Sequence, residues 1–308
     1  MNFPDGAWII EPISNDLIQA EKILSTLIET KTAFQEVKII EGSCFGKSLI
    51  LDGKTQSTEL DEYIYHESIV HPAMMFHQLP KNILIIGGGE GATLREMIKH
   101  PSVESIIMVD IDKNLIDICK EYLPNHHQGS FDDSRVNIVI DDAFKFVENT
   151  SDKFDVIIVD VPAPLEFGPA HHLFTLEFYE KISTILKNEG ILCVQAGATG
   201  PSFINQSFTA VLNTMSQIFK NTKGFHTFIP SFGTTWGFGL SIKSTILDQK
   251  GKTKINQIIK TRKINNLNFY DGETHLSLFN LPKYVRDSLK EDKRIITMSN
   301  PLFVNFET

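Results

Sequence analysis

The chain has 308 residues, 42 % of them hydrophobic and 22 % charged, with a formal net charge of −9. That length suffices for one large domain with a small appendage, and no apolar run reaches the ~18 residues a membrane-spanning helix needs. The surplus of carboxylates argues against nucleic acid as a partner, because phosphate contacts require Lys and Arg; it suits a cationic ligand, which clustered carboxylates attract and orient.

From the N-terminus, MNFPDGAWIIEPISND lacks the basic start and apolar core of a secretory signal. The apolar spacing over Asp16–Glu29 predicts a helix. Short β-prone runs follow at FQEVKII (34–40) and KSLILDG (47–53), with turn signals at Glu41-Gly42 and Asp52-Gly53. These predict a small antiparallel sheet, and Asp61–Phe76 has helical spacing. Residues 1–75 are therefore expected to form a small β-rich N-terminal domain and 76–308 a Rossmann-like catalytic domain.

From Lys81 the pattern changes. NILIIGGG, SIIMVDID, VNIVIDDA, FDVIIVDVP and GILCVQAG are short apolar runs bounded by Gly or Asp, separated by amphipathic segments. Such runs are what strands buried on both faces look like. The expected fold class is α/β, a doubly wound and mostly parallel sheet of the S-adenosylmethionine methyltransferase-like Rossmann type. FHTFIPSF and TTWGFGLSIK predict a closing antiparallel pair, while the polar tail from about Leu247 gives no clear pattern. Cys44, Cys119 and Cys193 are far apart and show no metal-ligand spacing. They are expected to be reduced core residues, in keeping with a cytoplasmic protein.

Three strand ends carry chemistry. Gly87-Gly88-Gly89-Glu90-Gly91 between a strand and a helix is a nucleotide-binding turn, in which Gly87 and Gly89 let backbone approach a ligand closely. Asp110 ends the next strand, placed either to accept two ribose hydroxyls or to cap a turn. Asp141-Asp142-Ala143 ends the strand after that, where an acid can accept an adenine amine or cap a helix. Glu90 in the glycine turn would repel phosphate, so a phosphate-free, cationic adenosine, a sulfonium nucleoside, fits best. Asp160 ends the fourth strand, at the crevice where open α/β sheets bind ligands, and Val161-Pro162-Ala163-Pro164 leads into a loop. His171-His172 suggests metal, but no partner cluster stands at ligand spacing, and no metal is expected. Phe232 and Trp236 are read as core, with cation–π contact to an acceptor amine as the alternative.

The string LDGKTQSTELDEYIYHE, Leu51 to Glu67, resembles the signature of spermidine synthases. GGGEGATLREMIKHP, VDID, DDA, FDVIIVD, LFTLEFYEKI (173–182) and Asn268-Phe269-Tyr270-Asp271 continue the likeness over nearly the whole chain. The resemblance implies a polyamine aminopropyltransferase. Such an enzyme uses no cofactor: it moves an aminopropyl group from its co-substrate, decarboxylated S-adenosylmethionine, to an amine and releases methylthioadenosine. By position, Gln35 and Asp110 would hold the nucleoside, with Asp142, Ala143 and Pro169 near the adenine. His66 and Glu90 would lie along the amine channel, with Tyr65 and Gln56 beside them, and Asp160 would be the acid–base residue. The family is commonly dimeric or tetrameric, which implies a homodimer or homotetramer. Where spermidine synthases carry a second Asp three residues after the catalytic one, this chain has Ala163. The longer loop, Gln195-Ala196-Gly197 and Thr235-Trp236-Gly237 look more like thermospermine synthase-like members. Spermidine or agmatine is then as fitting an acceptor as putrescine. Two other functions are compatible with the sequence: an inactive binder of nucleoside or polyamine, and a methyltransferase using ordinary S-adenosylmethionine. The carboxylate of that nucleoside would meet Glu90.

Overall fold

The computed structural model describes residues 4–14, 17–164, 168, 170–243 and 250–304. Five strands, β1 (Ala7–Ser14), β2 (Leu17–Lys31), β3 (Glu36–Gly42), β4 (Gly46–Leu51) and β5 (Lys54–Thr58), form an antiparallel meander in chain order. The segment expected to be a helix over Asp16–Glu29 is the long strand β2, with Asp16 itself outside the described residues. Its Ile18, Ile23, Thr26 and Ile28 are β-branched, and the strand is paired along both edges, from Ala7↔Ile23 to Lys31↔Glu36. Two ladders outweigh an apolar spacing that a helix would also accommodate.

Helix α1 (Glu62–Phe76) leads into a seven-stranded sheet. Its strands and helices alternate: β6 (Asn82–Gly87), α2 (Ala92–Ile98), β7 (Ser105–Asp110), α3 (Lys113–Tyr122), the single turn α4 (Pro124–His127), β8 (Val136–Ile140), α5 (Ala143–Asn149), β9 (Phe154–Asp160), α6 (Leu176–Ile185) and β10 (Leu186–Ala198). After α7 (Phe208–Ile218), strands β11 (Asn221–Ile229) and β12 (Thr234–Ile242) add the antiparallel edge. The sheet order is β11-β12-β10-β9-β6-β7-β8, with β10, β9, β6, β7 and β8 parallel. The mostly parallel, doubly wound α/β class expected from the apolar runs is the one observed.

The runs of the central strands β6 and β9 are apolar because both faces are covered. Ile83 and Ile85 of β6 with Val156 and Ile158 of β9 enter one core, while Leu84 and Ile86 with Ile157 and Val159 enter the other. The chain winds from β6 to β7 and β8, then returns to β9 on the other side. The order reverses between β6 and β9, and the register there sets Gly87 against Asp160. A ligand crevice opens at such a switch point.

A third cluster joins the two sheets: Val37, Ile39, Leu49 and Leu51 pack on Leu115, Cys119 and Leu123 of α3 and its end. The polar tail is helical, as α8 (Lys252–Thr261), α9 (Gly272–Phe279) and α10 (Lys283–Glu291). It is anchored on α1, where the Glu67 carboxylate accepts the backbone N–H groups of Asn268, Phe269 and Tyr270 at 2.7, 2.9 and 2.7 Å. All three cysteines are free, and Cys119 and Cys193 are buried; Cys44, expected in the core, is exposed in the turn between β3 and β4. No helix among the described residues is long and apolar enough to cross a membrane.

Candidate active site

A cavity of about 240 Å3 lies at the switch point. Gln35, Gln56, Tyr65, His66, Gly87, Gly89, Glu90, Asp110, Asp142, Ala143, Asp160, Ala163 and Trp236 all line it. Pro169 lies outside the described residues. Among the described residues, six carboxylates (Glu11, Asp52, Glu90, Asp110, Asp142, Asp160) face the cavity, along with one lysine, Lys54. A wall of that balance favours a cation.

The glycine turn begins the site. Gly87, Gly88 and Gly91 have φ of +80°, +77° and +83°, a region L side chains rarely enter. The Gly88 N–H donates to the Asp160 carbonyl at 2.9 Å, and a Cβ on Gly87 would stand 2.1 Å from that oxygen. Backbone contact this close leaves room for hydrogen only. A Cβ on Gly89 would sit 2.9 Å from Asp110 Oδ2, so the turn lies directly on that acid.

Asp110 accepts the Asp112 N–H at 2.9 Å. Burial, reinforced by the nearby carboxylates Asp112 and Asp160, pushes its pKa up to about 7. The Gln35 amide reaches Asp112 Oδ2 at 2.9 Å, beside the Thr32 hydroxyl at 2.6 Å, and Asp112 also caps α3. Gln35 thus borders the cavity with its donor already aimed at Asp112. Asp142 caps α5 through Lys145 N at 3.1 Å, and its other oxygen stands 3.9 Å from His172 Nε2. It caps a helix and lines the cavity at once, and Ala143 begins that helix.

Asp160 is held from both sides, by the Tyr65 hydroxyl at 2.7 Å and the Thr93 hydroxyl at 2.5 Å. Burial raises its pKa, partly offset by His66 and these two donors. His66 sits 2.7 Å from Glu90 through Nε2 and 2.7 Å from Glu62 through Nδ1. Burial alone would strip its proton, but the charges of Glu90 and Glu62 outweigh it and hold the pKa well above the ordinary histidine value.

The remaining wall is aromatic and amide. Gln195 donates to the Val161 carbonyl at 2.8 Å and accepts the Trp236 indole N–H at 3.2 Å, tying the loop after Asp160 to β12. Phe232 packs edge-on to both Trp236 and Tyr65. Phe232 and Trp236 pack against the core and also face the cavity. Asp61 fixes this corner by accepting the Ser231 N–H and hydroxyl at 2.7 and 2.9 Å. Gln56 lines the cavity from β5, its amide on the Lys54 carbonyl at 3.1 Å, and Ala163 presents no charge. Among the described residues no group of three or more His, Cys, Asp or Glu side chains could hold a metal ion.

Several contributors escaped the sequence reading: Thr93, Gln195, Glu62, Arg95, Asp112 and Glu11. Thr93 had a usable signal, a hydroxyl in the first helical turn after the glycines. Glu11 comes from β1, and nothing local marks it.

A doubly wound sheet with a glycine turn and acids at successive strand ends defines a Rossmann-type protein of the S-adenosylmethionine methyltransferase-like class. Comparison with known proteins narrows this. Residues 62–251 match the model of the spermine/spermidine synthase domain, and residues 7–59 that of the spermidine synthase tetramerisation domain. A polyamine aminopropyltransferase of Sulfolobus acidocaldarius is 44 % identical, the alignment covering 97 % of this chain and 98 % of that protein. One from Sulfurisphaera tokodaii is 41 % identical, with 96 % and 98 % covered. A crystal structure of spermidine synthase with the transition state analogue AdoDATO superposes with a TM-score of 0.85 at 32 % identity, covering 93 % of this chain and 96 % of that one. Spermidine synthase from Thermotoga maritima gives 0.83 at 31 %, covering 94 % and 96 %. The chain belongs to the spermine/spermidine synthase family and is an enzyme of the polyamine aminopropyltransferase class.

Proposed function

We propose that the protein transfers the aminopropyl group of decarboxylated S-adenosylmethionine to a polyamine, with Asp160 as general base. The observation that carries this is the buried Asp160 carboxylate at the switch point, oriented by Tyr65 and Thr93 in a cavity walled by acids. The nucleoside would lie along Gly87, Gly89, Asp110, Asp142 and Ala143. Its aminopropyl ammonium would pair with Glu90, which would repel the carboxylate of the ordinary nucleoside.

A free amine has a pKa near that of lysine, about 10.4, so it arrives protonated. Asp160 binds the ammonium, takes one proton and aligns the lone pair on the carbon attached to sulfur. The C–N bond forms as the C–S bond breaks. Its electron pair stays on sulfur, and methylthioadenosine leaves as a neutral thioether. With Ala163 where the resemblance leads one to expect a second Asp, that carboxylate is missing beside the acceptor, which weakens a short diamine more than spermidine or agmatine. The long β2, with Leu24 63 % exposed, and the matched tetramerisation model support a homotetramer. The working division remains a β-rich domain at 1–75 and a catalytic domain at 76–308, in a cytoplasmic enzyme.

Incubation with decarboxylated S-adenosylmethionine and putrescine, spermidine or agmatine should release methylthioadenosine, fastest with one of the latter two. Nucleoside binding with no product from any amine would refute the activity. Affinity for methylthioadenosine should also depend on pH. Ribose hydroxyls need ionised Asp110 as acceptor, and its pKa in the free protein is about 7. Affinity should therefore be flat above that pH and fall by about tenfold per unit well below it. Calorimetry between pH 5.5 and 8.5 checks this; a constant affinity would remove Asp110 from the ribose.

A further inference from the structure

Behind the cavity wall runs a continuous line of buried ionisable groups. Glu90 meets His66 at 2.7 Å, and His66 meets Glu62 at 2.7 Å. Arg95 grips both oxygens of Glu62 at 2.8 Å with its two terminal nitrogens. Its Nε donates to Glu96 at 2.8 Å, and one terminal nitrogen also reaches the His126 carbonyl. Glu96 in turn meets Lys99 at 2.8 Å and His71 at 3.0 Å. Glu62, His66, Glu90, Arg95 and Glu96 are all at most 8 % exposed. Glu62 and Arg95 are not among the residues lining the cavity.

Every polar atom placed on the His66 ring is an acceptor. Nδ1 faces the Glu62 carboxylate at 2.7 Å and the Glu62 carbonyl at 2.8 Å, and Nε2 faces the Glu90 carboxylate. A neutral imidazole donates from one nitrogen only and would turn a lone pair on a carboxylate at the other. Buried charges of this kind persist when each is paired, and the bidentate fork of Arg95 keeps Glu62 ionised and immobile.

We propose that Glu62 and Arg95 are positioning residues for the transfer reaction, holding His66 as an imidazolium whose Nε2, 2.7 Å from Glu90, in turn fixes that carboxylate by ion pairing. One Glu90 oxygen, Oε1, stands against His66 Nε2 as an ion-pair contact without an aligned hydrogen bond, and the other is left to meet the aminopropyl ammonium. That last assignment rests on the function proposed above. The arrangement also explains how a cationic ring can border a cation site. Glu62 and Glu90 together outweigh the His66 charge, and Arg95 is turned away towards Glu62 and Glu96. The charged and titratable groups around His66 are Glu62 and Tyr65 on α1, Glu90 and Arg95 around the start of α2, Asp160 on β9 and His126 on α4.

Removing the Glu62 charge leaves Glu90 alone to oppose burial, so the ring holds its proton less tightly and loses it at lower pH than in the native protein, and its pairing with Glu90 is then lost. In Glu62→Gln, affinity for decarboxylated S-adenosylmethionine should fall at least tenfold more at pH 8.5 than at pH 6, as a basic limb absent from the native protein. KM for the nucleoside should rise more than kcat falls. A Glu62→Gln profile parallel to the native one would overturn the proposal. Nitrogen-15 NMR of the native protein decides the matter independently of any variant's folding. Both ring nitrogens of His66 should be protonated up to pH 8.5, and a single protonated nitrogen at pH 7 would also overturn it. Failure to form methylthioadenosine would refute the activity and leave this NMR result standing.

Discussion

Asp160→Asn should lower turnover about 1,000-fold, the middle of the range that a positioned acid–base group supplies, while methylthioadenosine affinity stays within about threefold. The asparagine keeps the shape and one acceptor oxygen, so one of the two donors on Asp160, the Tyr65 and Thr93 hydroxyls, retains its partner. The other must rotate, at a cost of about 1 kcal/mol. The amide cannot take a proton from an ammonium, so loss of rate without loss of binding is the signature of a base. Methylthioadenosine release under saturating substrates, with calorimetry on the product, separates the two. More than a tenth of native turnover would reassign the base.

Gly87→Ala should unfold the switch point. The new Cβ would stand 2.1 Å from the Asp160 carbonyl and 2.8 Å from Val161 Cγ1, at φ +80°. The carbonyl belongs to backbone in the middle of the sheet and cannot swing away. A left-handed alanine costs about 1–2 kcal/mol and forced overpacking about 1–3 more, together on the order of 10 °C in Tm for a chain of this size. Gly53→Ala is the control, since that residue has φ +75° but nothing within 4 Å of its Cβ. It pays only the conformational part. Scanning calorimetry on both variants checks the difference, and equal losses would show that close approach to Asp160 is not what requires glycine.

How legible these features were depends on the range over which each is decided. The strand runs were readable because burial on both faces leaves no polar position between the ends of NILIIG or DVIIVD. Gly87, Asp110 and Asp160 were readable because a parallel sheet always presents its strand ends at the same edge. The helix expected at β2 failed for the opposite reason. Its spacing satisfied a helix locally, and only pairing with β1 and β3 decided otherwise. Cys44 failed likewise, since its turn projects beyond the packed faces.

Around Asp160 the same division holds. The sequence by itself determined that an acid ends the fourth strand, that a glycine turn ends an earlier one and that alanine stands at position 163, where the resemblance leads one to expect a second Asp. It also carried the family, through the Leu51–Glu67 string. Only the tertiary structure decided what surrounds those groups. Thr93 and Tyr65 converge on Asp160 from 67 and 95 residues away, and Arg95 reaches Glu62 across 33. Gln35 turns to Asp112, 77 residues on. Hydrogen-bond partners and the charge of a buried ring depend on distances of a few ångströms between separate elements, and no local pattern encodes those.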